Sequence, residues 1–112
     1  MNISFQVTIP AGGVINLQTA LFGSNPTNIE SNAYVQWLSF QNNSAHPCRY
    51  GTSPKVSVTT PAAVSGGTAG LGTLLQPGGA GSQSTPVTYS TMLSEWYLAG
   101  TPGDVIDGQC LQ

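Results

Sequence analysis

Chemistry in this chain would have to start from His46, its only imidazole, and from Cys48 two residues further on. A histidine can act as general base for a cysteine or serine nucleophile when a third group orients its ring. His46 lies in Ala45-His46-Pro47-Cys48, which reads as a turn, so a locally bonded surface histidine is the plainer expectation. With Cys110 the pair would supply three metal ligands at most, and no second His or Cys motif at zinc spacing accompanies them. Glu95, Asp104 and Asp107 could approach a hard cation, but a calcium site takes roughly six or more oxygens from a recognisable loop. Turn capping is the expectation for Asp104. No catalytic, metal-binding or cofactor-binding residue is assigned, and the chain reads as a non-enzyme.

Two further patterns invite chemistry and fall short of it. The run Gly66-Gly67-Thr68-Ala69-Gly70-Leu71-Gly72-Thr73 lacks the lysine of a phosphate-binding loop and precedes no expected helix, so it reads as a flexible loop. Trp37, Trp96 and the tyrosines could stack on sugar rings, yet at strand periodicity aromatic residues serve core packing more often. Asn2-Ile3-Ser4 and Asn42-Asn43-Ser44 match the glycosylation pattern, which carries weight only on a secretory route.

The shortage of reactive groups is general. Charged residues make up 5% of the 112 residues, against about 25% in an ordinary soluble domain. Ser, Thr, Asn and Gln fill the gap. Arg49 and Lys55 are the only fixed cations and the formal net charge is −2; phosphate neutralisation depends on Lys and Arg, so nucleic acid is not an expected partner. No basic, apolar leader opens the sequence and no stretch approaches the roughly 18 apolar residues of a membrane helix, so synthesis in a cytoplasm is expected. Cys48 and Cys110 could form one bridge; free thiols are the expectation there.

The elements that must hold these residues are strands. Ile3, Phe5, Val7 and Ile9 alternate with polar residues, a period of two that turns one apolar face inward. Pro10-Ala11-Gly12-Gly13 breaks this strand, and Ile15, Leu17 and Leu21 resume the alternation, suggesting a first hairpin. Residues 23–32 read as a loop around Asn25-Pro26. Tyr34 to Gln41 form a nearly continuous apolar run, expected to be a central strand covered on both faces and anchored in the core by Trp37. Short strands are expected around Cys48–Tyr50 and over Lys55–Thr60, and surface loops at 60–70 and Gln76–Pro86 flank Leu71–Leu75. Val87–Ser90, a helical or extended Met92–Tyr97, a compact turn over Leu98–Asp104 and a closing strand Val105–Leu111 complete the chain. Its length suits one domain over residues 1–112. About eight strand candidates without a strong amphipathic helix point to an all-β, antiparallel β-sandwich of jelly-roll type.

The segment Leu93-Ser94-Glu95-Trp96-Tyr97-Leu98-Ala99-Gly100-Thr101-Pro102-Gly103-Asp104-Val105-Ile106-Asp107 resembles the closing segment of small virion proteins of tailed bacteriophages. Among these the chain is most similar to β-sandwich capsid decoration, or cement, proteins. The resemblance implies a non-enzymatic virion protein on the capsid exterior, bound to the major capsid protein through its edge strands, N-terminal segment and long Gly-rich loops, with Gly66–Gly72 and Gln76–Pro86 as the candidate contact loops, and assembled as a homo-oligomer, a trimer. A tail or baseplate component and a carbohydrate-binding or adhesive module are the alternatives. Gly108-Gln109-Cys110 departs from the more apolar last strand of such proteins, which leaves the pairing of that strand open. A surface meant to lie against other subunits would be nearly free of charge, with the few charged residues on the solvent side.

Overall fold

The computed structural model describes residues 2–23, 34–59, 69–84 and 91–111. Ten strands appear among them: β1 (Asn2–Thr8), β2 (Val14–Asn16), β3 (Tyr34–Val35), β4 (Trp37–Asn42), β5 (Cys48–Gly51), β6 (Thr73–Leu75), β7 (Ala80–Ser84), β8 (Thr91–Met92), β9 (Tyr97–Ala99) and β10 (Val105–Leu111). One helix, α1 (Leu17–Phe22), and a 3-10 turn at Leu93–Glu95 interrupt them. The protein is mostly β, with two four-stranded antiparallel sheets in the orders β1-β10-β4-β7 and β2-β9-β5-β6, and a small β3-β8 pair.

Alternation in the sequence becomes the inner face of the first sheet. Val7, Leu38, Phe40, Ile106 and Cys110 point into one core shared with Cys48, Tyr50, Leu75 and Leu98 of the second sheet. Phe40 and Tyr50 meet across the gap with ring centroids 4.8 Å apart, and Trp96 continues the aromatic row 6.3 Å beyond Tyr50. Burying such rings removes large apolar areas from water, so this row contributes much of the core's stabilisation. β10 runs between β1 and β4 with Cys110 fully buried, which answers the doubt over the pairing of the last strand. Gly108 is needed there: a Cβ would lie 2.6 Å from the Ser39 carbonyl oxygen and would strike the Phe5 ring.

Several sequence expectations give way. The first two strands do not form a hairpin: β1 pairs with β10 and β2 with β9, so the Pro10–Gly13 turn carries the chain from one sheet to the other. Leu17 to Phe22 are helical because Asn16 caps the turn, its Oδ1 accepting from the Thr19 N–H at 3.2 Å. The helix sets Leu17, Ala20 and Leu21 against the core at helical spacing. The apolar run at 34–41 is broken at Gln36, and Trp37 is half-buried, so Trp96, 6% exposed, is the tryptophan in the core. β4 buries one face only: Leu38, Phe40 and Asn42 are inside, while Trp37, Ser39 and Gln41 are on the other side. Lys55–Thr60 forms no strand in its described part. The bridge from Ser57 to Leu71 joins it to the chain before β6, and Val56 is buried beside Gly51. Within Gln76–Pro86, β7 replaces the expected loop, pairing along β4 from Trp37–Ser84 to Gln41–Ala80. Met92–Tyr97 is both helical and extended, as the 3-10 turn between β8 and β9. The expected loop at 24–32, residues 60–68 and Val87–Ser90 lie outside the described residues.

Candidate functional site

The turn between β9 and β10 brings His46, Cys48 and Asp104 together. Asp104 is 7% exposed and its carboxylate is committed locally: Oδ2 accepts from the Thr101 N–H at 3.1 Å and Oδ1 lies 3.0 Å from His46 Nδ1. Capping of the turn by Asp104 is thus part of its role. His46 extends into solvent, with 56% of its side chain exposed. Cys48 sits beneath the carboxylate, its Sγ 3.9 Å from Asp104 Oδ2 and 3.8 Å from Ser44 Oγ. Burial pushes the Cys48 thiol above its ordinary value and the Asp104 charge adds to this, outweighing the Ser44 hydrogen bond. A nucleophilic cysteine needs the opposite setting, with an imidazole facing the sulfur and a favoured thiolate. Here the carboxylate faces both groups, and the arrangement fastens a turn.

Behind it, Asn42 supplies a fully buried polar hub. Its Nδ2 donates to the carbonyls of His46 at 2.8 Å and Leu75 at 2.9 Å, and its Oδ1 accepts from the Ser44 N–H at 2.9 Å and Ser44 Oγ at 2.6 Å. These bonds tie the β4–β5 connection across both sheets, which the glycosylation pattern in Asn42-Asn43-Ser44 did not reveal. Only the high frequency of Asn in capping and turn roles hinted at it. An amide with no exposed surface offers no acceptor for a glycan.

Asp107, Glu95 and Arg49 make structural bonds too. Asp107 accepts from Gln6 Nε2 at 2.9 Å and from Asn43 Nδ2, linking β10 to β1 and to the end of β4. Glu95 accepts from the Met92 N–H at 2.6 Å and caps the 3-10 turn. Arg49 donates to the carbonyls of Gly72 at 2.8 Å and Ala69 at 3.1 Å, clamping the chain before β6. Lys55 and Glu95 are exposed, whereas Asp104 is buried and Arg49 and Asp107 are half-buried, so charge does not mark one solvent side as expected. Glu30 lies outside the described residues. Cys48 and Cys110 are free and buried. Among the described residues no group of three His, Cys, Asp or Glu side chains could hold a metal ion.

A groove of about 530 Å³ lies at the end of the β2–β9 pair, between Gly13–Val14, Pro54–Val58 and Gly100–Pro102. A smaller hollow of about 260 Å³ adjoins it at Val58 and Thr101, with His46 and Arg49 on its far wall. Apart from Lys55, the larger groove is lined by neutral residues and brings no acid–base pair together. Of the candidate contact segments, the described part of Gly66–Gly72 includes Leu71, 42% exposed. On the outer side of the first sheet, Ser4, Gln6 and Thr8 stand in register with Gln109, Asp107 and Val105, with Ser39 and Gln41 beyond them, so amides and hydroxyls share this face with the Asp107 carboxylate and with Val105, Leu111 and Trp37. Of the described Trp and Tyr side chains, Tyr50 and Trp96 are buried, which removes them as sugar platforms, and Trp37 and Tyr97 are half-buried. No family model, no curated protein and no solved structure matches this chain.

Proposed function

We propose that this chain is a non-enzymatic virion structural protein of a bacteriophage, a head decoration protein that binds the outside of the assembled major capsid shell, and that its two sheets form an eight-strand jelly roll. The observation that carries this reading is the strand order. Lettering the strands of the two four-stranded sheets B to I along the chain turns β1-β10-β4-β7 into B-I-D-G and β2-β9-β5-β6 into C-H-E-F. That is the order generated by folding two Greek keys into facing sheets, an architecture frequent in viral capsid and lectin domains. Between those two, the burial of Tyr50 and Trp96 favours the capsid role over sugar stacking.

The surface suits such a role. Among the described residues Asp107 is the one charge on the outer face of the first sheet, and it is already bonded to Gln6 and Asn43; the amides and hydroxyls around it can be covered by a shell subunit without the several kcal/mol that each unpaired buried charge costs by rough estimate. Repeated contacts over neighbouring shell subunits then add up to firm binding. The test is co-sedimentation of the purified protein with expanded, empty capsids of the phage that encodes it, followed by heating of the complex. Saturable binding that raises the temperature of capsid disruption is expected. Absence of binding, or binding to tails alone, would overturn the head assignment.

A further inference from the structure

β1 is the edge of the first sheet and pairs with β10 alone among the described residues. Its seven residues, Asn2-Ile3-Ser4-Phe5-Gln6-Val7-Thr8, contain no Lys, no Pro and no break in register. Natural edge strands carry such devices to prevent edge-to-edge pairing. The Ile9 N–H donates to the Asp104 carbonyl at 2.8 Å, so odd-numbered residues direct their backbone groups at β10. By the alternation of an antiparallel ladder, Asn2, Ser4, Gln6 and Thr8 then turn theirs outward. Ile3 and Phe5, on the core side, remain only half-buried, while Val7 is closed off. Among the described residues the core is therefore only partly covered along this edge.

The strand is also self-complementary. Polar and apolar residues alternate symmetrically about Phe5, so a second copy laid antiparallel with Phe5 opposite Phe5 sets Ser4 against Gln6, Asn2 against Thr8 and Ile3 against Val7. Every outward-pointing backbone group then meets its match, apolar side chains fall on the core side in both copies, and no charge opposes another. We propose that β1 is a homodimerisation edge, through which two copies of this chain join about a two-fold axis at Phe5 into one continuous sheet. A closed two-fold contact uses the same patch on both copies, which gives a dimer where the phage resemblance implies a trimer. The inference is independent of the capsid assignment.

Sedimentation equilibrium over a range of concentrations tests it. The wild-type chain is expected to dimerise. Ser4→Lys with Gln6→Lys sets lysines opposite one another and is expected to weaken the dimer about tenfold or more. Ser4→Glu with Gln6→Lys, which pairs opposite charges across the same axis, is expected to restore it. If the lysine variant does not fold, amide exchange of the wild type decides: protection of Ser4, Gln6 and Thr8 should rise with protein concentration. A monomer at all concentrations, a trimer, a dimer indifferent to the lysine pair, or amide protection independent of concentration would each overturn the proposal.

Discussion

The Phe5 ring occupies the space over Gly108 on the inner face of the first sheet, one strand away in direct register. It meets Phe40 edge-on beyond, with centroids 6.2 Å apart. Three strands thus share one aromatic contact that a side chain at position 108 would prevent. Gly108→Ala is expected to destabilise the fold by about 1–3 kcal/mol through overpacking, read as a lower midpoint in urea. A midpoint equal to wild type would mean that the Phe5 ring is free to move aside.

Removal of the Asn42 side chain should be among the most damaging single changes. Asn42→Leu keeps the volume near constant but leaves the carbonyls of His46 and Leu75 and the Ser44 donors to find other partners. A loss of about 3 kcal/mol is expected, since each orphaned buried group costs roughly 1–3 kcal/mol and relaxation recovers part of it. Thermal unfolding monitored by circular dichroism measures the loss, and Asn42→Asp, which keeps one acceptor, should fall in the same range because it forfeits both donated bonds.

Both thiols should resist modification in the folded protein. Cys48 and Cys110 have no exposed surface, and burial raises the pKa of each from the ordinary value of 9.0. Ellman's reagent at pH 8 is expected to titrate neither until denaturant is added. Rapid reaction of Cys48 in the native state would revive the reading of His46 and Cys48 as a reactive pair.

The same burial sets an alkaline limit. Well below pH 9.0 folded and unfolded chains both hold the thiol protons, so these groups add no pH dependence there. Above it the unfolded chain releases protons that the folded chain keeps, and stability falls as pH rises toward the folded-state values. Urea midpoints between pH 7 and pH 10.5 should decline more steeply for wild type than for the double variant Cys48→Ala, Cys110→Ala. Parallel slopes would show that the thiols are not the cause.

Arg49→Lys is expected to loosen the chain before β6. An ammonium cannot reproduce the fork that reaches the Gly72 and Ala69 carbonyls together. The global cost is expected to be small, about 1 kcal/mol for a half-exposed side chain. Limited proteolysis near 69–72 should accelerate several-fold while the core strands stay protected.

The strands that carry their own pattern were legible and those held by neighbours were not. β1 and β10 could be read from spacing because one face of each meets the core and the alternation of Ile3, Phe5 and Val7 records it. β7, Ala80-Gly81-Ser82-Gln83-Ser84, has almost no intrinsic strand preference; its ladder with β4 imposes the conformation, so composition alone suggested a loop. Ile15, Leu17 and Leu21 fit a period of two as well as one helical face, and the Asn16 cap decided between them. Trp37 drew attention by size, yet the break at Gln36 leaves it on the side of β4 away from the core. At the candidate site the residue types were visible, but the partners were not: Asp104 is 58 positions from His46, and no local pattern announces that contact.

The pairing of β1 with β10, from Asn2–Leu111 to Thr8–Val105, also governs how the protein can be made. The first strand leaves the ribosome long before its partner exists, with Ile3, Phe5, Val7 and Ile9 uncovered and few charges nearby to keep nascent chains apart. The first sheet closes only when Val105–Leu111 arrives, so assembly waits on the longest loop closure in the fold and should be slow. Yield in a foreign host is therefore expected to depend on synthesis rate and chaperone supply, with cooler expression favouring soluble product over inclusion bodies.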